Sequence, residues 1–514
     1  MKLLGILFMF AFAFYAFAEQ PAGGKEWTIM VYMAGDNAAT EDLEGDGHID
    51  MLEMAGAKID NSKVNLVLLV DFGGKDFDGL YVYNGKDYDL KKKYDEINMG
   101  DPATLTGFIK DAAANYPAKK YLLHLWGHGS GLLSLAGPGT IIDDLNNQNS
   151  KSGNAKAARL LDNDYAMDKV FARLAVAKLI GTDPQSKSFA YDESSKDCIT
   201  MVEFKKALND SNLKFELISF DACIMNQVEV LYQIKDYTSN VAAAFTYFPG
   251  GGYWYTGCFS PLSDNPSIDG RTLAKSMLDN NKKFYTTEDL FKPAFVATIK
   301  QRILKSLRAK KDQVLQAMAQ NNIPADQFDA FIDMYADKYI SDNQEDVDNA
   351  AAQAFKMQVL NFGYMDLTKL PDFMKKLDEF IKTATDRTRA MDARKKSTSI
   401  NSAFGDKYGT FYVDILSFVS QFETLADGKP NQAADELLKD IKTLEPEFIV
   451  VGTDETMTNA HVGLFFPEQI DLYKVLAKYY EPLDFCSNSK WPDFLKGLIA
   501  PAPAPAPAKM GAPK

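Results

Sequence analysis

The sequence predicts an α/β fold: a mostly parallel sheet with helices on both faces. Three observations carry that reading. Val64 to Val70 (VNLVLLV) and Tyr121 to Trp126 (YLLHLW) are near-continuous apolar runs, the pattern of strands covered on both faces. Helical stretches, from Thr104 to Asn115 and from Met201 to Leu208, fall between such runs. The chain of 514 residues is 46% apolar and 25% charged. Those proportions exclude a disordered or collagen-like chain and leave room for about two to four domains.

In chain order, the first segment is a targeting signal. Lys2 precedes an apolar run from Leu3 to Phe17, and Ala16-Phe17-Ala18 supplies a small-residue cleavage site. The run is shorter than the roughly 20 residues a spanning helix needs, so residues 1–18 read as a cleaved signal peptide. The mature chain is then exported, without a membrane span. A catalytic α/β domain over residues 19–285 follows. Its strands are Glu26 to Ala34, closed by the turn residues Gly35-Asp36-Asn37, then the two runs above, Phe215 to Phe220 and Val241 to Phe245. A helix is expected from Met225 to Ile234.

Residues 132–200 break this rhythm. Their centre, Asn146 to Asn154, is polar and turn-rich, as in an exposed loop. Residues 286–385 read as a charged helical segment. Residues 386–496 regain strand character at Phe448 to Val451 and His461 to Phe466, as a smaller C-terminal α/β region packed on the catalytic domain. Residues 497–514 form a stiff Pro/Ala-rich tail.

Charge narrows the function. Fifty-six basic against 70 acidic residues give −14 at pH 7, which argues against nucleic acid as a partner and favours cationic substrates. Four cysteines, Cys198, Cys223, Cys258 and Cys486, do not make a disulfide framework in a chain this long; two bridges, one or none are compatible with the count.

Two strand ends hold the candidate chemistry. Tyr121 to Trp126 runs into Gly127-His128-Gly129-Ser130-Gly131, and Phe215 to Phe220 into Asp221-Ala222-Cys223. In open α/β sheets, ligands gather at the carboxyl ends of strands. If the two strands are neighbours, the His128 imidazole can activate the Cys223 thiol. A helix start beside Cys223 would favour its thiolate, and the Gly129 N–H could help bind an oxyanion. His124, inside the apolar run, reads as a packed core histidine. The rival serine-hydrolase reading of His-Gly-Ser-Gly fails, because no G-x-S-x-G elbow occurs.

With these residues in place, the chain resembles the clostripain-like cysteine peptidases, relatives of the caspase and gingipain group. The matching pieces are Val31 to Asn37, Gly127 to Gly131, Ile218-Ser-Phe-Asp-Ala-Cys-Ile-Met225, Pro249 through Gly257, Gly463 to Pro467 and Trp491 to Leu495. The resemblance implies a caspase-like fold and an endopeptidase acting on protein or peptide substrates. It implies an acyl-enzyme at Cys223, with His128 as acid and base and the Gly129 and Cys223 N–H groups as oxyanion hole. It also implies that Asp221 lines a pocket for Arg or Lys, although a plain helix-cap role is the competing reading. One departure stands out: the loop Thr246 to Trp254 carries no acidic residue. Processing between His and Cys is implied as well, and Lys151, Lys156 and Arg159 are candidate self-cleavage points. A catalytically silent binding or scaffold protein on the same fold is the alternative.

No cofactor is needed for such chemistry. Separately, Asp42, Glu44, Asp46, Asp50 and Glu53 fall at positions 1, 3, 5, 9 and 12 of a calcium loop, with Gly47 at position 6. Glu44 is an unusual residue for position 3, and a strand rather than a helix precedes the stretch.

Overall fold

The computed structural model describes residues 24–37, 43–73, 77–132, 189–249, 251–399, 410–452, 461–468, 470 and 472–499. The signal segment, Asp42, the candidate points Lys151, Lys156 and Arg159, and residues 500–514 of the tail lie outside them; the expected tail start at 497 is corrected, because the last helix runs from Trp491 to Ile499.

The predicted runs form the middle of the sheet. Strands β1 (Lys25–Gly35), β2 (Val64–Phe72), β5 (Ala118–Gly127), β8 (Leu217–Asp221) and β9 (Asn240–Ala244) pair in parallel in the order β9-β8-β5-β1-β2. β3 (Gly79–Tyr83) and β4 (Tyr88–Lys93) extend the β2 edge in antiparallel fashion. Alternate side chains feed two cores. Tyr32, Leu69 and Leu125 meet α2 (Pro102–Asn115) and α3 (Met201–Ser211) on one face. Val31, Leu68 and Leu122 meet the layer containing α5 (Tyr255–Asp264) and α6 (Gly270–Thr286) on the other. That period of two on both faces explains the unbroken apolar runs.

The chain enters at β1, builds outward through β2, then returns on the opposite side of β1 as β5. The crevice beyond the carboxyl ends of these strands is therefore the topological switch point, the ordinary ligand position in such sheets.

The expected domain boundaries need correction. The helical segment is α7 (Glu288–Ala309), α8 (Lys311–Gln320), α9 (Phe328–Asp342) and α10 (Gln344–Met357), around a small core of Leu304, Met318 and Ile332. It ends there, not at residue 385. β10 (Leu360–Asp366) pairs antiparallel with β9, and β12 (Glu447–Val451) pairs with β10, so both belong to the main sheet. Asn361 and Gly363 weaken the strand signature of β10, which hides it among charged helices.

The C-terminal region is fastened directly behind the Cys223 turn. The Gly463 N–H donates to the Asn226 carbonyl (2.9 Å), and the Phe465 N–H donates to Glu229 Oε1 (2.9 Å). Tyr412 donates to the Ser130 carbonyl (2.8 Å). Buried Glu445 accepts from both Asn226 and His461 at 2.8 Å.

The calcium-loop reading of residues 42–53 is also corrected. From Leu43 to Gly56 the chain is helix α1, so the twelve-residue loop that would wrap an ion does not form. Glu44 instead pairs with Lys305 of α7 (3.5 Å). Asp46, Asp50 and Glu53, spaced for one helical face, line a cavity against α7, and Asp46 and Asp50 also reach the cleft that holds His128 and Cys223.

Candidate active site

His128 and Cys223 come from adjacent strands. Trp126 of β5 stands opposite Asp221 of β8, so two residues further on both side chains reach one cleft, shared with Asp46, Asp50, Trp126, Phe248 and Gly252. Gly129 sits hard against the nucleophile: a Cβ there would lie 2.4 Å from the Cys223 carbonyl oxygen and 3.0 Å from its nitrogen. Only glycine lets the two backbones approach this closely.

The expected helix start at Met225 is displaced. α4 spans Val228–Ile234, its N-cap is Gln227, and Gln227 makes no side-chain cap bond. The helix terminus is thus too far along the chain to charge-stabilise the thiolate, and Asp221 caps nothing. A strained turn presents the thiol instead. Ile224 has φ 62°, costly for a β-branched residue, and its N–H is held by the Thr246 carbonyl (2.8 Å). The Phe248 N–H then points at Cys223 Sγ (3.3 Å), where a donor supports negative charge on sulfur. Phe248 was not legible as a functional position, because its contribution is a backbone N–H.

Asp221 is buried at the base of the cleft. Its Oδ2 accepts the Tyr253 N–H (2.9 Å) and the Tyr255 hydroxyl (2.7 Å). Both bonds fall on Oδ2. Behind it, His124 Nε2 meets the Tyr255 hydroxyl and His124 Nδ1 meets Ser219 Oγ, each at 2.7 Å. Burial pushes His124 down to about 3, so it is neutral and carries one ring proton. The Tyr255 hydroxyl already donates its hydrogen bond to Asp221, so His124 donates from Nε2 to the Tyr255 oxygen and accepts at Nδ1 from Ser219. His124 is the core histidine expected, and it also orients the residue that holds Asp221.

A second carboxylate adjoins the first. Asp50 of α1 accepts from Trp126 Nε1 (2.6 Å). A Cβ on Gly252 would lie 2.7 Å from Asp221 Oδ2 and 3.3 Å from Asp50 Oδ2, so the two acids flank one point of the pocket wall. Burial, then Tyr255 and Tyr253 in the opposite sense, leave Asp221 raised to about 6; burial first, and then Asp221 and Glu53, push Asp50 up as well.

All four cysteines are free thiols. Burial pushes Cys258 and Cys486 well above the usual thiol range, and Cys198 is buried. Limiting iodoacetamide at pH 7 should therefore modify Cys223 first, as read by peptide mapping. Earlier labelling of any other cysteine would contradict this assignment of the reactive thiol.

A thiol and an imidazole presented from neighbouring strand ends of a caspase-like sheet define a cysteine peptidase. The chain belongs to the clostripain family, whose sequence pattern matches residues 31–149 and 177–497. Clostripain of Hathewaya histolytica is 28% identical over 231 residues, 40% of this chain and 36% of that protein; the chain thus spans about a third of that relative's length. In fold, it is similar to a secreted C11 cysteine protease from Bacteroides thetaiotaomicron in complex with an irreversible peptide inhibitor (TM-score 0.53, 16% identity, 91% of this chain and 99% of that one). It is likewise similar to an inactive zymogen C11 protease from Parabacteroides distasonis (TM-score 0.55, 13% identity, 91% and 99%).

Proposed function

We propose that the protein is an exported endopeptidase that cleaves after Arg or Lys. The observation that carries the chemistry is the shared cleft of Cys223 and His128. His128 takes the thiol proton as Sγ attacks the scissile carbonyl carbon, and the Gly129 and Cys223 N–H groups receive the oxyanion. The C–N bond breaks, the amine leaves with the proton from His128, and a thioester remains. Water, deprotonated by His128, releases the acid product. No step requires a metal.

Support for basic specificity comes from Asp221 and Asp50, which supply the acids that the loop Thr246 to Trp254 lacks. Two buried carboxylates side by side are unfavourable until a cation joins them, and a guanidinium or ammonium group is suited to do so. Export is supported by the residue pattern of 1–18. Self-cleavage at Lys151, Lys156 or Arg159 fits the same specificity, and these residues lie in the stretch that the family pattern skips.

Fluorogenic peptides ending in Arg, Lys, Tyr or Ala test the reading. Turnover should be confined to Arg and Lys; preferential turnover of Tyr or Ala peptides would overturn the specificity. Full activity in a chain that stays uncut on a denaturing gel would remove the self-cleavage.

A further inference from the structure

We propose that Glu445 is a positioning residue for the nucleophile: its carboxylate, braced by His461, fixes the Cys223 turn through Asn226. The inference rests on Cys223 as the attacking group. Asn226 follows Cys223 in the same turn and is fully buried. Its N–H donates to the Ala244 carbonyl (2.8 Å), and its carbonyl accepts the Gly463 N–H (2.9 Å). Its side-chain amide donates to Glu445 Oε1 (2.8 Å) and to the His461 carbonyl (3.3 Å). Between Asn226 and Cys223 sits Ile224 at φ 62°, a conformation that persists only where the surroundings over-determine it.

The fold makes room for that carboxylate. Glu445 is the C-cap residue of the helix Gln432–Leu444, and its side chain is buried. It meets β10 at Gly363, where a Cβ would lie 2.0 Å from Glu445 Oε1. A glycine inside a strand is costly; at this position it is what admits the carboxylate. The other oxygen, Oε2, meets His461 Nδ1 (2.8 Å), and the His461 ring stacks on Phe448 with centroids 4.3 Å apart. An ionised carboxylate accepts at both oxygens at once. Burial pushes Glu445 up, and the bonds from His461 and Asn226 oppose it. Burial lowers His461, but Glu445 and then Asp414 outweigh it, with Lys442 opposing, and leave the ring above its ordinary range. The pair therefore favours an imidazolium donor on a carboxylate acceptor.

Loss of the bond at Asn226 would let the turn relax at Ile224. Sγ would then leave its place beside His128 and the Phe248 N–H. A misplacement of about 1 Å can cost roughly a hundredfold in rate. The pocket acids stand on β8 and α1, ahead of the turn, so substrate binding should be spared.

The test uses the full chain and whichever fluorogenic peptide the native enzyme cleaves fastest. Glu445→Asp keeps the charge but withdraws the carboxylate by one methylene. Its kcat should fall roughly tenfold or more while KM stays within about twofold, and Cys223 should react several-fold more slowly with iodoacetamide. Glu445→Gln should keep native kcat within about threefold, because an amide can accept from Asn226 and donate to a neutral His461. Asn226→Ser, too short to reach Glu445, breaks the same bond from the other side. The double variant with Glu445→Asp should be scarcely worse than either single one. Native kcat in Glu445→Asp or Asn226→Ser would overturn the role, as would losses that multiply in the double variant. A loss in Glu445→Gln as large as in Glu445→Asp would overturn it too. Cys223→Ala keeps the two assignments apart: turnover surviving there would strike the nucleophile itself, whereas an inactive Cys223→Ala beside a fully active Glu445→Asp would strike only the positioning.

Discussion

Cys223→Ala should abolish turnover of Arg- and Lys-terminated peptides, by at least about 10³-fold, with Tm unchanged within a degree or two. The side chain is partly exposed in the cleft, and the turn behind it is held by backbone bonds from Ile224 to Thr246 and from Asn226 to Ala244 (both 2.8 Å). Removing the sulfur leaves that turn intact. His128→Ala should cause a loss of similar size, and the double variant should be scarcely worse than either single one, because the two groups act as a unit. Hydrolysis is the measurement, with near-ultraviolet circular dichroism as the folding control. A Cys223→Ala protein that retains a tenth of native turnover would place the nucleophile elsewhere.

Much of this arrangement was legible because fully buried parallel strands leave a strong trace. Runs such as VNLVLLV and YLLHLW have no polar break, so their ends, and the His and Cys just past them, can be located by reading alone. The neighbours that tune the site were harder to see. Tyr255 and His124 act through a relay whose members are 131 positions apart, and no local period records such a contact. Asp46, Asp50 and Glu53 were visible as a pattern, but carboxylates at these spacings suit a calcium loop and a helical face alike. What decided between them was the helix beginning at Leu43.

Asp221→Asn should reduce kcat/KM for Arg and Lys peptides by roughly 30-fold or more, the scale of about 2 kcal/mol or more for removing one partner of a buried charge pair. The amide has the carboxylate's shape and can still accept from Tyr253 and Tyr255, so the pocket wall should persist and most of the change should appear in KM. The pH dependence supplies an independent reading. Burial raises Asp221 to about 6, and the groups facing it are Asp50, Glu53, Tyr253 and Tyr255. A basic side chain binds the ionised form. As pH falls through about 6 the carboxylate takes a proton, and KM for Arg peptides should climb toward tenfold per unit. His128 also titrates on acidification, but it acts on every substrate alike, so the Arg-to-Ala selectivity ratio isolates the pocket. That ratio should collapse below pH 6 in the native enzyme and stay low and flat in Asp221→Asn. A native ratio that holds steady from pH 8 to pH 5 would show that Asp221 does not read the substrate's charge.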